Sequence, residues 1–392
     1  MIAYLTDVEG RWDKLVSFAT GNPHVRLDGT ALRLADGVTF VFGGDSIDRG
    51  PHGRRILTTL VAAKRAYGDR VVLLAGNRDL NKLRLAHELD APREGAPDHA
   101  SRGDLLRWIF RSTMGAPRAF AHRAAELGTS DDDAVVDSFL ADLRPGGAII
   151  EYLRAAQLAY RAGASLFVHG GVTRDNLFVT PNGATPRDVD AWVAALNQFF
   201  ADELAGFAAG RTPTALIAYQ APVPGTHLNQ ASVVYARPTD DEGNPHLPER
   251  AVIAHLRAAG VDRVVVGHTP SGDCPALLHD DGFELVLGDN SYGRIELGSQ
   301  LAFSDDVTTV RAMTELDDGT HHSVAFAHAR ADRRGPLGHR DRETEQLAKA
   351  RLADGRFLLF RGLPERRVEQ RAVAADALAA RPLEAPYALG AA

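Results

Sequence analysis

The chain has 392 residues, of which 45% are hydrophobic and 24% are charged, proportions that are ordinary for a soluble globular protein. Its 44 basic and 51 acidic side chains give a formal charge of −7, which argues against a nucleic-acid backbone as the main partner. No apolar run reaches the length of a membrane span, the amino terminus shows no secretion signal, and the single cysteine, Cys274, fits a reducing compartment. We therefore expect a cytoplasmic protein without a membrane partner.

Short apolar runs predict buried strands, and five of these strands end in acidic, amide or imidazole side chains. In chain order the five strands cover residues 2–6, 38–42, 70–75, 166–168 and 263–266. Open α/β sheets bind their ligands at the carboxyl ends of strands. Five endings of this kind therefore predict one active site at one edge of the fold.

The segments between and after these strands carry the other predicted elements. In chain order they are a loop or small hairpin at 21–37, a helix at 51–67, a helical insertion at about 80–163, a helical stretch at 189–204, a helix at 248–259 and closing strands at 283–287 and 294–297. Beyond residue 299 no strand ends in such polar groups. We therefore predict a catalytic domain over residues 1–298 and a carboxyl-terminal extension over residues 299–392.

The polar groups at the five strand ends form short motifs. They are Asp7-Val8-Glu9-Gly10, Gly44-Asp45-Ser46-Ile47-Asp48-Arg49-Gly50, Gly76-Asn77-Arg78-Asp79, His169-Gly170-Gly171 and Gly267-His268-Thr269-Pro270. A carboxylate can bridge two cations while imidazole and amide groups complete their coordination, which is the ligand set of Mn, Fe or Zn. Two such cations can activate a water molecule and hold a phosphoryl group in line with it. The motifs therefore favour a metal-dependent phosphoryl-transfer site.

With these motifs in this order, the chain resembles the calcineurin-like metallophosphoesterases, specifically their phosphoprotein-phosphatase-like branch. The signatures of that branch are Asp-x-His, Gly-Asp-x-x-Asp-Arg-Gly, Gly-Asn-His-Glu/Asp, His-Gly-Gly and Gly-His-Thr-Pro. The resemblance covers about residues 2–297. It implies an α/β fold, a β-sandwich of two sheets flanked by helices, with the helical insertion over the mouth of the site and the carboxyl-terminal extension after the core.

The resemblance also implies a role for each matching residue. Two metal ions would share Asp45, with Asp7, Glu9 and Asp45 binding one ion, and Asp45, Asn77, His169 and His268 binding the other. Arg49 matches the family's phosphate-binding arginine. Arg237 is the candidate for a second phosphate-binding arginine, and a surface arginine at the end of a strand is an equally good interpretation of it.

Two positions depart from the family's motifs. Glu9 replaces the histidine of the first motif, and Arg78 replaces the histidine that in the family is paired with the residue at Asp48 and helps to protonate the leaving group. The two changes together roughly conserve the charge of the site, so they are consistent with one coupled substitution. An anionic ligand favours a hard ion such as Mn²⁺ or Mg²⁺ over Zn²⁺. Arg78 stays protonated and cannot act as an ordinary general acid.

We therefore expect a hydrolase with two divalent ions, most favourably Mn, with Fe, Zn or Mg as alternatives. Its substrate would be a phosphate monoester or a nucleotide-type phosphoanhydride, either a small phosphorylated molecule or a phosphoprotein. Two other hypotheses remain open. One is a pseudo-phosphatase that binds metal or phosphate without turnover, and the other is a bimetallic site that carries out different chemistry.

Overall fold

The computed structural model describes residues 1–91, 94–96, 98, 101–332 and 335–388. Within these ranges the strands are β1 (Ile2–Leu5), β2 (Val25–Asp28), β3 (Ala31–Leu34), β4 (Thr39–Phe42), β5 (Val71–Leu74), β6 (Ala156–Gln157), β7 (Ala159–Ala162), β8 (Ser165–Val168), β9 (Arg263–Val266), β10 (Ala276–Asp280), β11 (Phe283–Leu287), β12 (Gln300–Phe303), β13 (Val307–Glu315), β14 (His321–Ala329), β15 (Arg340–Asp341), β16 (Leu347–Arg351), β17 (Phe357–Leu363), β18 (Arg367–Val373) and β19 (Leu383–Glu384).

The helices of the same ranges lie mainly between the strands of the two large sheets. They are α1 (Trp12–Ala19), α2 (Gly53–Tyr67), α3 (Asn77–Leu80), α4 (Leu85–Glu88), α5 (Arg102–Thr113), α6 (Ala119–Leu127), α7 (Asp132–Asp142), α8 (Ala148–Ala155), α9 (Val189–Ala208), α10 (Thr214–Tyr219), α11 (Arg250–Ala258) and α12 (Ala375–Ala379). None of the helices in the described residues is long and apolar enough to cross a lipid bilayer.

Two sheets form the centre of the fold. The first has seven strands in the order β14-β13-β12-β1-β4-β5-β6, and the second has five in the order β10-β11-β9-β8-β7. Strands β1, β4 and β5 run parallel in the first sheet, and β8, β9 and β11 run parallel in the second. The predicted α/β sandwich of two sheets flanked by helices is thereby confirmed.

The parallel strands are continuous apolar runs because both of their faces are covered. On β1, Tyr4 points between the two sheets, where its ring lies 5.9 Å from that of Phe167 and 6.3 Å from that of Phe303. The neighbouring residues Ala3 and Leu5 belong to the other apolar cluster, which includes Leu57 and Leu60 of α2. The alternation of side chains along each strand therefore fixes one face against the partner sheet and the other against helices.

Two interpretations are wrong, namely the closing strand at 294–297 and the strand that one interpretation of Arg237 assumed before that residue. Residues 294–297 form a loop, because the backbone N–H groups of Arg294 and Ile295 donate to Oδ1 of Asp273 instead of pairing with a strand. Residues 232–237, which would have placed Arg237 at a strand end, form turns. The hydroxyl of Ser232 accepts hydrogen bonds from two following N–H groups there, which is a local alternative to strand pairing.

The sheet pairing also crosses the predicted domain boundary at residue 298. Strand β12 pairs with β1, and β13 and β14 follow it in the same sheet. A further sheet in the order β18-β17-β16-β15-β19 is built entirely from residues beyond 339. The predicted boundary therefore does not coincide with an edge of the first sheet.

Residues 80–163 were predicted as a helical insertion, and their described part contains separate helices as far as Ala155. Residues 92, 93, 97, 99 and 100 of this prediction lie outside the described part of the chain. Its last residues form β6, which pairs with β5, and β7, which pairs with β8. The insertion therefore ends by adding one strand to each of the two central sheets.

Candidate active site

The carboxyl ends of six parallel strands meet at one edge of the sandwich. The polar residues that follow them are Asp7 and Glu9 after β1, Asp45 after β4, Asn77 after β5, His169 after β8, His268 after β9 and Asp289 after β11. Backbone hydrogen bonds continue the pairing beyond β1 and β4, since the N–H groups of Asp7 and Glu9 donate to the carbonyls of Gly44 and Asp45. The first two motifs are therefore held side by side.

Asp45, Asn77, His169 and His268 form one compact cluster. The Nε2 atom of His169 lies 3.2 Å from Oδ1 of Asp45 and 3.3 Å from Oδ1 of Asn77. The Nδ1 atom of His268 lies 2.8 Å from the same Asn77 oxygen. One ligand atom from each of Asp45, His169 and His268 lies within 4.8 Å of the others, which is compact enough for them to share an ion.

Two further features of this cluster fit a metal ion. The Nδ1 atom of His169 is 2.7 Å from the carbonyl oxygen of Gly43, an arrangement that orients the ring and leaves Nε2 for a ligand. The Nδ1 atom of His268 points to the same cluster, since it lies 2.8 Å from Oδ1 of Asn77. The residues predicted for the second ion therefore have the donors and the orientation that such an ion requires.

Asp7 and Glu9 lie beside this cluster and are almost completely buried. The carboxylate of Asp7 accepts hydrogen bonds from the hydroxyl of Thr6, at 2.5 Å, and from the backbone N–H of His268, at 3.1 Å. Burial and then the negative charge of Asp289 raise the pKa of Asp7 well above its ordinary value. The buried ammonium group of Lys14, which donates to the carbonyl oxygen of Asp7 at 2.7 Å, compensates part of this negative charge, and a first metal ion next to Asp7 would compensate more of it.

Both oxygens of Glu9 already contact guanidinium groups. Oε1 lies 2.6 Å from Nε of Arg78, and Oε2 lies 3.0 Å from a terminal nitrogen of Arg49. Glu9 is therefore placed between the buried carboxylates and the two arginines. If Glu9 also bound a metal ion, its negative charge would be shared between that ion and the two arginines.

Arg78 is surrounded by acids. In addition to Glu9, its guanidinium lies 3.5 Å from Asp45 and 3.6 Å from Asp48. Although burial opposes the charge, the carboxylates of Glu9 and Asp45 raise the pKa of Arg78 well above its ordinary value. The side chain is therefore a permanent cation at the centre of the site and cannot donate a proton to a leaving group.

Asp48 has a second cationic partner. The ammonium group of Lys82 is fully buried and donates to Oδ2 of Asp48 at 2.7 Å. On its other side Asp48 borders a cavity of about 20 Å³, space for one water molecule, which is also lined by His122 of α6. The helical insertion thus reaches the motif that carries Asp48.

Arg237 lies near His268, one of the histidines of the cluster. Its guanidinium is 5.7 Å from the ring of Tyr235, and that ring is 4.9 Å from the ring of His268. Burial first, and then the positive charge of Arg237, lower the pKa of His268 well below its ordinary value. The structure therefore brings Arg237 to the same site as the other nine predicted residues.

The backbone at the site is strained in a consistent way. Outside glycine, positive φ angles are uncommon and concentrate at functional sites. Such angles occur at five of the predicted site residues, which are Asp7 (51°), Glu9 (49°), Asp45 (55°), Asp48 (109°) and His268 (61°). Close packing adds to this, since a Cβ atom on Gly76 would lie 2.2 Å from Oδ1 of Asp45. The fold holds these carboxylates in place at a cost in backbone energy.

The sequence analysis missed several residues that contact the site, among them Asp289, Tyr292 and Glu296. Asp289 follows the buried strand β11 through Gly288, which is the same pattern as at the other strand ends and was the signal that could have revealed it. Tyr292 accepts a hydrogen bond at its hydroxyl from Arg78 at 2.9 Å, and Glu296 accepts one from Arg49 at 2.8 Å. Glu296 lies in the segment that was interpreted as a closing strand, and Tyr292 precedes it in the same loop.

Residues 2–272 match the model of the calcineurin-like phosphoesterases, and the chain belongs to that family. The family predicted from the motifs is thereby confirmed. The protein is thus a member of a family of metal-dependent phosphoesterases, and its cluster of Asp45, His169 and His268 can hold a metal ion.

Two groups of solved structures resemble the chain. A cold-active protein-tyrosine phosphatase of a psychrophilic Shewanella species is 16% identical, with 82% of this chain and 79% of that chain covered and a TM-score of 0.46. A protein serine/threonine phosphatase from Saccharomyces cerevisiae, similar to human phosphatase PP5, is 12% identical, with 83% and 79% covered and a TM-score of 0.37. Structural similarity at these identities and TM-scores gives no information on the substrate of this protein. No curated protein matches the sequence significantly.

Proposed function

We propose that the protein hydrolyses a phosphate monoester or a nucleotide-type phosphoanhydride with two divalent metal ions, preferentially Mn²⁺. The observation that carries this proposal is the cluster of Asp45, Asn77, His169 and His268 at the carboxyl edge of both sheets, next to Arg49 and Arg78. When bound, the ions would supply an activated water and neutralise charge on the phosphoryl group. We also propose a cytoplasmic location and a small phosphorylated molecule or a phosphoprotein as substrate.

The arginines of the site would bind the phosphoryl group. Arg49 and Arg237 flank the metal cluster, and planar guanidinium groups match phosphate oxygens in pairs. Arg78, fixed between Glu9 and Asp48, would stabilise the charge that develops during the reaction. Because Arg78 gives no proton to the leaving group, a substrate whose leaving group departs as a stable anion fits the site better than an alkyl ester.

A second candidate is a phosphate-binding module without turnover. The observation that favours it is that Arg78 stands where the family has its catalytic histidine, while the predicted metal ligands are retained. The two functions differ in one measurable property, because a binding module would bind Mn²⁺ and inorganic phosphate without releasing phosphate from any ester.

The test is phosphate release by the Mn²⁺-loaded protein, screened over p-nitrophenyl phosphate, sugar phosphates, nucleotides and phosphopeptides. We expect turnover of at least one class, and we expect Asp45→Asn to abolish it because this side chain is the proposed bridge between the ions. Asp28→Asn, at an exposed hairpin residue with 71% of its side chain accessible, is the matched control. Tight metal and phosphate binding without release from any substrate would leave the binding module as the function.

A further inference from the structure

Arg11 and Arg49 face each other across one carboxylate, that of Glu296. A terminal nitrogen of Arg49 donates to Oε1 of Glu296 at 2.8 Å, and Arg11 donates to Oε2. The backbone N–H of Tyr292 donates to Oε1 as well, also at 2.8 Å. Both oxygens of Glu296 are therefore bound by donors that are equally suited to phosphate oxygens.

This arrangement adjoins the metal cluster. The other terminal nitrogen of Arg49 contacts Glu9, so one guanidinium joins the predicted metal ligands to the carboxylate of Glu296. The ring of Tyr292 lies 3.8 Å from the guanidinium of Arg49 and holds it on a third side. A phosphoryl group at the metal cluster and an anion at the position of Glu296 would thus contact opposite sides of Arg49.

The position is reachable from solvent, unlike the ligands below it. The side chains of Arg11, Arg49 and Glu296 are 28%, 23% and 15% exposed, whereas that of Glu9 is 3% exposed. Arg11 is also oriented by Asp13, which accepts from its second terminal nitrogen at 2.6 Å and leaves the first for Glu296. A ligand anion can therefore replace the Glu296 carboxylate without disturbing the buried carboxylates.

Building on the proposed function, we propose that Arg11 and Arg49 form a second anion subsite, so that the preferred substrate carries two adjacent phosphoryl groups, as in a phosphoanhydride. The carboxylate of Glu296 occupies this subsite in the free protein, and a phosphoryl group of the substrate displaces it on binding. The absence of a general acid at Arg78 agrees with this class, since a phosphate leaving group departs as an anion.

The chemistry of this substrate class balances with water alone. The oxygen of water forms a bond to one phosphorus while the bridging P–O bond breaks. The second phosphate leaves with the bridging oxygen and the bonding electron pair, and the protons of water pass to the phosphate products or to solvent. No oxidant, reductant or further reactant is required.

The experiment compares inorganic pyrophosphate with p-nitrophenyl phosphate in the Mn²⁺-loaded wild type, Arg11→Ala and Glu296→Gln. We expect Arg11→Ala to lower kcat/KM for pyrophosphate at least about tenfold more than for p-nitrophenyl phosphate, because a charged hydrogen bond is lost only with the first. Glu296→Gln should lower KM for pyrophosphate by removing the competing charge. Arg33→Ala, at an exposed arginine paired with one acid, is the matched control. Equal losses on both substrates in Arg11→Ala would overturn the subsite.

A binding measurement separates this proposal from the proposed function. Imidodiphosphate, a non-hydrolysed analogue of pyrophosphate, is titrated against phosphate by calorimetry. We expect it to bind at least about tenfold tighter than phosphate to the wild type, and we expect this preference to vanish in Arg11→Ala and to weaken in Arg11→Lys, which keeps the charge without the planar fork. If the protein turns over neither substrate but still prefers imidodiphosphate to phosphate, the proposed hydrolase activity is refuted and the subsite is not. If the protein turns over a substrate but does not prefer imidodiphosphate to phosphate, the subsite is refuted and the hydrolase activity is not.

Discussion

Glu9 and Arg78, the two residues that depart from the family's motifs, form one ion pair, with 2.6 Å between Oε1 of Glu9 and Nε of Arg78. Their side chains are 3% and 11% exposed, so the pair is shielded from water and each charge depends on the other. Arg78 also contacts Asp45 and Asp48, and Glu9 also contacts Arg49. The contact supplies a physical reason why the two substitutions would occur together.

We predict that Glu9→His and Arg78→His each lower phosphate-ester turnover or metal affinity, and that the double substitution recovers part of the loss. Either single change removes one partner of this buried ion pair and unbalances the charge of the site, whereas the double change restores the family's pattern at both positions. The coupling between contacting charges is commonly about 0.5–3 kcal/mol. Steady-state kinetics of the three variants measure it. Additive effects on kcat/KM would show that Arg78 acts independently of Glu9, for example as a clamp on the substrate.

Strand β10 connects the second sheet to the carboxyl-terminal segments through His279. Its ring lies 4.5 Å from that of His328 on β14 and 4.8 Å from that of His339, and it pairs across strands with Glu284 on β11. Among the residues that the structure describes, the Nε2 atom of His328 is buried and has no hydrogen-bond partner. Burial, and then the charges of His328 and His339, lower the pKa of His279 to about 4, against a weaker opposing effect of Glu284.

A lowered pKa of this kind makes the fold sensitive to acid. His279 stays neutral in the folded chain but takes up a proton in the unfolded chain below its ordinary pKa of about 6.5, so its stabilising effect is complete above that pH and is lost as the pH falls towards 4. We predict that His279→Phe keeps the stacked ring and reduces the loss of unfolding free energy between pH 7 and pH 4 by on the order of 2–3 kcal/mol.

Urea unfolding at several pH values measures this difference. His321→Phe is the control, because His321 lies on β14, the strand that carries His328, but its side chain is 59% exposed. Parallel pH dependences of the wild type and His279→Phe would show that His279 does not titrate differently in the folded and unfolded chains.

The sequence predicted those elements whose signal is local. Apolar runs broken by glycine gave the strands, and the residues that follow them, such as Asp45 and His268, gave the candidate metal ligands. The loop from Asp289 to Leu297 could not be predicted, because its conformation depends on Asp273 and on arginines that are distant in sequence. The Arg11 contact was missed for the same reason.

In the molecule as a whole, non-local strand pairing determines which strands form the sheet behind the candidate site. Strand β12 carries no polar motif, yet it lies directly beside β1, the strand that precedes Asp7 and Glu9. Through β12, the strands β13 and β14 extend the sheet that holds the first half of the site. A pattern of residues along the chain contains no information on this pairing, so the predicted boundary at residue 298 followed the motifs instead of the sheet.

We propose that the six predicted ligands at this edge of the sheets hold two metal ions per chain. Elemental analysis after reconstitution of the full chain in excess Mn²⁺ and removal of free metal tests it most directly. We predict two ions per chain in the wild type, and weaker binding of both ions in Asp45→Asn, because this carboxylate would contribute to each site. A wild-type protein that retains at most one ion per chain would contradict the dinuclear centre.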